Sequence, residues 1–255
     1  MSGVHPTSAA GFGGDMSVYE RGRPSYPAEA VQWLVDGLGI GPGRDVVDLA
    51  AGTGKFTRLL VPYGSRLTAV DPSAAMRAQF AAAAPDVPIL DGRADALPFD
   101  DASLDAVTVA QAFHWFDVAA ATAELARVIR PGGGFGMIWN ERDASVEWVR
   151  ELNAIFGWER REQFGVPRNI ERHWEVEFAN SAHPRFGELD RFETSYQQRL
   201  DTDTLVLRVL STSYLASATP QRQAEVSSAV RELVADFPPE FDLPYVTVAY
   251  RTRPA

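Results

Sequence analysis

The 255-residue chain contains no cysteine, which excludes disulfide bonds, zinc–thiolate sites and thiol nucleophiles. Basic residues are also few, since 24 Lys and Arg stand against 34 Asp and Glu, a formal net charge of −10. Nucleic-acid binding needs a basic face, so this balance argues against a nucleic-acid partner. The few histidines show no i, i+4 pair, and we therefore expect no metal site.

Long hydrophobic runs are missing as well. No apolar stretch is long enough to span a bilayer. Residues 1–15 lack the basic start and apolar stretch that are typical of a signal peptide. We therefore expect a cytoplasmic protein without a membrane segment, and the sequence leaves a monomer and a homodimer both open.

Short apolar runs alternate with helical periodicities through the first half of the chain, which predicts a parallel sheet with helices on both faces. The predicted strands are Val46–Leu49, Leu67–Val70, "VPILDG", Leu104–Ala110 and Phe135–Trp139. Residues 161–184 are polar and are predicted to be irregular. Two later strands, "RFETSYQQRLD" and Tyr245–Arg251, are expected to pair antiparallel at the edge of the sheet.

Polar and glycine-rich segments follow the ends of several predicted strands. They are the glycine stretch Gly52–Gly54, Asp71, Asp95, "AQAFHWFD" and "WNERD". Ligands of open α/β sheets bind beyond the carboxyl ends of the strands. We therefore expect these segments to converge on one edge of the sheet.

The glycine loop in "VVDLAAGTGKFTRLL" (Val46–Leu60) does not match a nucleotide-triphosphate loop. That motif requires glycine where Leu49 stands and serine or threonine where Phe56 stands. The dinucleotide fingerprint G-x-G-x-x-G/A is matched only in part, because Thr57 takes the third position. The loop is therefore poorly suited to phosphate groups.

Two carboxylates bracket this loop. Asp48 would repel a pyrophosphate and suits a cationic ligand group. Asp71 follows about 20 residues after the loop, a placement that suits the two hydroxyls of a ribose. The residues thus indicate a nucleoside that carries positive charge in place of phosphates.

The motifs "VVDLAAGTGKFT", "LTAVDPS", "DGRADALPFDDASLDAVTVAQAFHWFD" and "VIRPGGGFGMIWN" resemble, in order, those of class I S-adenosylmethionine-dependent methyltransferases. The "QAFHWF" segment is similar to the small-molecule group that includes trans-aconitate methyltransferase. The resemblance implies a three-layer, Rossmann-like α/β fold with a seven-stranded, mostly parallel sheet, a terminal antiparallel hairpin and a helical lid insertion. It divides the chain into a cover segment (1–27), a cofactor-binding core (28–140), a lid (141–186) and C-terminal helices with the edge hairpin (187–255).

The same resemblance implies S-adenosyl-L-methionine as the cofactor and assigns residues to its parts. Asp48, Gly52 and Gly54 would hold the methionyl part, and Asp71 would bind the ribose hydroxyls. Pro72 and Met76 would flank the adenine, and Ala94 with Asp95 would contact its edge. Tyr19 would close over the cofactor, Arg23 would meet its carboxylate, and Ala50 and Ala110 are further cofactor-binding candidates. Two residues depart from the family pattern. Ala50 stands where glycine is usual, and Arg93 stands where many members have aspartate.

The methyl acceptor is expected to be a small molecule. His114 is the candidate base, and Trp115, Trp139 and Asn140 are candidates for acceptor binding; ordinary packing is the alternative for each. Lid aromatics favour an apolar acceptor, or else only fasten the lid: Trp148, Phe156, Trp158, Phe164 and Trp174. An acidic acceptor would need an arginine, and four are candidates without rank: Arg142, Arg150, Arg168 and Arg208.

Two other functions stay open at this point. One is a nicotinamide-dependent oxidoreductase on a similar sheet, which Asp48 and the missing third glycine disfavour. The other is a non-catalytic protein that still binds S-adenosylmethionine. The sequence predicts methyl transfer by in-line displacement as the preferred function.

Overall fold

The computed structural model describes residues 22–155, 157, 173–216 and 218–252. One seven-stranded sheet is present, with strand order β3-β2-β1-β4-β5-β7-β6. Its strands are β1 (Asp45–Leu49), β2 (Arg66–Val70), β3 (Ile89–Leu90), β4 (Leu104–Ala110), β5 (Ile129–Arg142), β6 (Asp190–Leu200) and β7 (Phe241–Thr252). The sheet is mostly parallel with antiparallel strands at the end, which confirms the predicted architecture.

The first five strands run parallel, so their carboxyl ends share one edge of the sheet. β1 lies between β2 and β4, with Leu49 aligned to Val70 on one side and to Val109 on the other. β3 pairs with β2, and β5 pairs with β4. The segments that follow β1, β2, β4 and β5 therefore meet, as the sequence predicts.

Nine α-helices are present in the part of the chain that the structure describes. They are α1 (Ala28–Leu38), α2 (Thr57–Leu60), α3 (Ala74–Ala83), α4 (Val118–Val128), α5 (Glu147–Ile155), α6 (His173–Ser181), α7 (Thr202–Leu210), α8 (Ser213–Ala216) and α9 (Pro220–Leu233). The Ser73 hydroxyl accepts from the backbone N–H of Met76, and the Asp117 carboxylate accepts from that of Ala120. Both side chains thus cap helices, at α3 and α4, by satisfying otherwise unpaired N–H groups.

Several boundaries differ from the sequence-based expectation, among them the start of β7 at Phe241 and not at Tyr245. β5 begins at Ile129, because the glycines Gly132–Gly134 form an irregularity within the strand that shifts its register against β4. α6 lies inside the segment 161–184 that was predicted to be irregular. Its Trp174 and Phe178 are buried, so contacts with the rest of the fold, and not its local sequence, stabilise this helix.

The described residues divide into two compact units. The larger, called the core unit, contains the described residues 26–140, 173–194 and 247–252. The smaller, called the second unit, contains the described residues 22–25, 141–155, 157, 195–216 and 218–246. Within the core unit, α1 packs its buried face on β5, where a Cβ at Gly136 would lie 2.7 Å from Leu34. No helix among the described residues is long and apolar enough to cross a membrane.

Candidate functional site

The loop after β1 reverses direction through three left-handed residues. Ala50 and Gly52 have φ of 56°, and Gly54 has φ of 80°. A Cβ at Gly54 would lie 2.8 Å from the ring of Phe80, whereas one at Gly52 would meet no atom of the described residues within 4 Å. Gly54 is therefore required for packing, and Gly52 leaves its backbone open to a ligand. Ala50 adopts the same backbone at a cost of about 1 kcal/mol.

Gly54→Ala is expected to lower the free energy of unfolding by about 2–4 kcal/mol, since it adds a clash with Phe80 to the left-handed strain. Gly52→Ala adds the strain alone and is expected to cost about 1 kcal/mol. Urea unfolding of both variants without ligand measures the difference. Equal midpoints for the two variants would contradict the packing role of Gly54.

Asp71, at the carboxyl end of β2, joins this loop to the start of α3. One carboxylate oxygen accepts the backbone N–H of Gly52 at 2.9 Å, and the other accepts that of Ser73 at 2.8 Å. Asp71 is 6% exposed. Burial raises its pKa above the ordinary value, although the two hydrogen bonds lower it in part. Each carboxylate oxygen has a second lone pair, so the group can also accept from hydroxyls of a ligand.

The backbone N–H groups of the two loop glycines already have partners. That of Gly52 donates to Asp71, and that of Gly54 donates to the carbonyl of Ala51 at 2.9 Å. A phosphate site needs such groups directed at the ligand. The geometry therefore agrees with the sequence that this loop is unsuited to phosphate.

Asp48 lies beneath the loop and is fully buried. The hydroxyls of Thr57 and Thr108 donate to its two oxygens at 2.5 and 3.1 Å. Burial raises the pKa of Asp48 to about 7, although both hydrogen bonds lower it. Through these hydrogen bonds Asp48 holds the loop in place from below. Because burial disfavours its charged form, a cation near Asp48 would favour the carboxylate over the neutral acid.

The residues predicted around the adenine follow β2 and β3. Met76 is buried in the first turn of α3, while Pro72 and Ala94 are partly exposed. The Arg93 guanidinium donates to both oxygens of Asp95, each at 2.9 Å, and this contact holds the pKa of Asp95 below its ordinary value. Arg93, the residue that departs from the family pattern, thus forms an ion pair with the carboxylate that was predicted to contact the adenine.

A second strained turn follows β4, directly after the partly exposed Ala110. Gln111 has φ of 60°, and its side-chain amide donates to the carbonyl of Asn140 at 3.3 Å. Asn140, at the end of β5, is buried and accepts from the hydroxyl of Thr247 at 2.6 Å. Sequence reasoning missed Gln111, because only a backbone with positive φ in a residue other than glycine marks it as unusual.

His114 lies in the turn after β4 and contacts two tryptophans. Its Nδ1 accepts the indole N–H of Trp139 at 3.2 Å, and its ring centroid lies 4.9 Å from that of Trp115. An indole nitrogen only donates, so Nδ1 carries no proton and the neutral ring carries it on Nε2. Burial lowers the pKa of His114 to about 4. His114 is therefore a neutral N–H donor at physiological pH.

Trp139 belongs to an aromatic stack within the core unit. Its ring lies parallel to that of Trp174 in α6, with centroids 4.8 Å apart, and Trp174 meets Tyr250 edge to face. Trp139 and Trp174 are 4% and 2% exposed. The stack holds the indole of Trp139 in place, and that indole in turn orients His114. The sequence did not reveal this connection between distant segments.

The remaining predicted residues lie elsewhere or are not described. Tyr19 lies outside the described residues, as do Phe156, Trp158, Phe164 and Arg168. In the second unit, Arg23 donates to the carbonyl of Ser211 at 3.1 Å. There Trp148 packs edge to face on Phe237 and Phe241.

Comparisons with known proteins bear on the family of the chain. Residues 47–137 match a family model described as a methyltransferase domain. An uncharacterized methyltransferase of Mycobacterium tuberculosis (strain H37Rv) is 40% identical over 251 residues, which cover 94% of each chain. A demethylmenaquinone methyltransferase of Mycolicibacterium paratuberculosis is 43% identical over 120 residues, 47% of this chain and 48% of that one.

A solved structure shares the fold. It is a putative type II methyltransferase from Anaeromyxobacter dehalogenans, 24% identical, with a TM-score of 0.61 and coverage of 91% of this chain and 97% of that chain. The nearly full-length match to the mycobacterial relative shows the family as well as the fold. The chain therefore belongs to the methyltransferase family and is a methyltransferase with a class I, Rossmann-like fold.

Proposed function

We propose that this methyltransferase uses S-adenosylmethionine as its methyl donor and a small molecule as its acceptor. The observation that carries the proposal is the contact between Asp71 and Gly52, which places a buried carboxylate against an open glycine loop. The carboxylate suits ribose hydroxyls, and the loop leaves no N–H of Gly52 or Gly54 for a pyrophosphate. These features fit an adenosine that carries a sulfonium in place of phosphates.

Each part of the donor finds suitable residues in the core unit. Asp71 accepts from the ribose, Gly52 admits the methionyl chain, and Asp48 supplies negative charge beneath the loop. Met76 and Pro72 offer apolar surface to the adenine. Ala94 offers its backbone to the adenine beside the ion pair of Arg93 with Asp95.

When bound, S-adenosylmethionine supplies an electrophilic methyl: the acceptor atom bonds to the methyl carbon, the carbon–sulfur bond breaks, and sulfur keeps the electron pair as S-adenosylhomocysteine leaves. The chain contributes position and exclusion of water, and orientation alone supplies roughly 7–11 kcal/mol in favourable cases. A carboxylate acceptor has no proton to lose, so it needs no base.

His114 orients the acceptor through its Nε2–H in this proposal. The base that the sequence predicts would need a free lone pair and a pKa near 7. The hydrogen bond from Trp139 and the pKa of about 4 favour a donor instead. Trp139 then acts as a positioning residue for His114, while Trp115 lies beside it and offers an apolar face.

The comparisons support a small acceptor without identifying it. The partial relative named for demethylmenaquinone acts on a small molecule, but it matches only about half of this chain. The trans-aconitate-like group stays a prediction. The nicotinamide alternative is disfavoured by the family and by the engaged loop N–H groups.

A thermal-shift screen tests the donor. S-adenosylmethionine and S-adenosylhomocysteine, each at about 100 times its Kd, are expected to raise Tm by about 5–10 °C, since such an excess stabilises by about 2.7 kcal/mol. NAD is expected to leave Tm unchanged. Stabilisation by NAD alone would overturn the proposal in favour of the oxidoreductase.

A further inference from the structure

Arg208 is a buried cation in the second unit without a carboxylate partner. It stands in the last turn of α7, is 7% exposed, and makes no ion pair with any described residue. Its Nη1 is buried and has no hydrogen-bond partner in the described part of the chain. A buried charge is costly unless an opposite charge accompanies it, so this arginine calls for an anion.

The neighbours of Arg208 fix its orientation but do not neutralise it. Its Nε donates to the hydroxyl of Tyr245 at 3.2 Å, and that hydroxyl donates to the side-chain oxygen of Gln198, also at 3.2 Å. The amide of Gln198 donates in turn to the carbonyl of Gly22. Every residue of this hydrogen-bond series is buried, and Arg208 is its one charged member. The series engages Nε of the guanidinium and leaves Nη1 without a hydrogen-bond partner among the described residues.

The other candidate arginines for an acidic acceptor lack this property. Arg142 donates to the side chain of Asn153 at 2.8 Å. Arg150 is exposed and donates to the carbonyls of Ala144 and Ser145. Arg168 lies outside the described residues. Burial and an unpaired nitrogen single out Arg208 among the described three.

We propose that Arg208, oriented by Tyr245 and Gln198, binds the carboxylate of a small organic acid. The side chains that follow Arg208 in this hydrogen-bond network, Tyr245 and Gln198, are neutral, so Arg208 itself calls for one negative charge, which a carboxylate supplies. A guanidinium fork also fits the planar carboxylate. This anion site does not depend on the proposed function.

Minimal anions test the site without knowledge of the acceptor. Formate, acetate and phenylacetate are titrated into the full chain and compared with phenylacetamide, inorganic phosphate and chloride at equal ionic strength, by calorimetry and by Tm. At least one carboxylate is expected to bind about tenfold or more tightly than phenylacetamide and phosphate. Equal binding of acid and amide, or tighter binding of phosphate, overturns the proposal.

Arg208→Met keeps an apolar stem and removes the charge, and Arg208→Lys keeps the charge without the fork. Arg231→Met is the matched control, in the last turn of α9 with an exposed side chain paired to Asp203. Arg208→Met is expected to lose carboxylate affinity about tenfold or more, Arg208→Lys about threefold or more, and the control none. Unchanged affinity in either Arg208 variant contradicts the site.

Two further readouts separate this proposal from a structural role and from the proposed function. Arg208→Met is expected to melt at or above the wild-type temperature, because an unmatched buried charge is removed; a lower Tm with unchanged carboxylate binding makes Arg208 structural. S-adenosylhomocysteine is titrated separately. If it binds while no carboxylate does, only the present inference fails; if carboxylates bind and it does not, only the proposed function fails.

Discussion

Replacing Asp71 with alanine is expected to weaken S-adenosylhomocysteine binding about tenfold or more in calorimetric titration. The substitution removes the acceptor for ribose hydroxyls, and a hydrogen bond to a charged group contributes about 1.5–3 kcal/mol. It also leaves the backbone N–H of Gly52 without its acceptor, so the loop loses its fixed position. Both changes weaken binding at the site proposed for the methyl donor.

Asp91→Ala is the matched control for Asp71. Asp91 follows β3, is exposed, and pairs with Arg77, which also donates to the backbone carbonyl of Asp71. The control removes the same charge near the same helix without touching the glycine loop, so its affinity is expected to stay within about twofold. Equal affinity of Asp71→Ala and wild type would remove the ribose assignment.

His114 gives the second large effect. His114→Ala is expected to lower methyl transfer about tenfold or more, as removal of a positioned donor does, and to leave S-adenosylhomocysteine affinity unchanged. His114→Gln retains an N–H near the position of Nε2 but supplies no base. A donor role predicts that glutamine restores much of the turnover, whereas a base role predicts that both variants fail alike.

The titration of His114 is measurable without an acceptor. Nitrogen NMR of the imidazole, assigned by comparison with His114→Ala, is expected to show the Nε2–H tautomer and a pKa of about 4. Because this pKa lies below the ordinary 6.5, the neutral form is favoured in the folded state. The contribution of neutral His114 to the free energy of unfolding is therefore complete above pH 6.5 and is lost as pH falls towards about 4.

The pH dependence of the free energy of unfolding tests whether the pKa of His114 is lowered. Between these two pH values the unfolded chain binds the proton more readily, so wild type is expected to lose more stability than His114→Gln. A pKa near 7, or a turnover that rises with pH through that value in wild type and not in His114→Gln, would restore the base that the sequence predicts.

Much of the fold follows from local patterns. β4 has the predicted limits Leu104–Ala110, because a buried run between turns has few other conformations. The caps Ser73 and Asp117 lie where short polar side chains precede apolar helices. α6 was missed, because Trp174 and Phe178 do not mark a helix until β5 offers them a surface.

The sequence alone determined the order of the strands, the edge of the sheet at which the loops gather, and a glycine loop that disfavours phosphate. Each of these three features depends on residues that are close together in the sequence, and the covalent backbone fixes the spacing of such residues. Only the tertiary structure decided that Trp139 fixes the tautomer of His114, and that Arg208 alone among the described candidate arginines is buried with a nitrogen, Nη1, that has no hydrogen-bond partner. Burial and hydrogen-bond geometry between segments far apart in the chain arise only when the chain folds, and these set the charge and the protonation of the site.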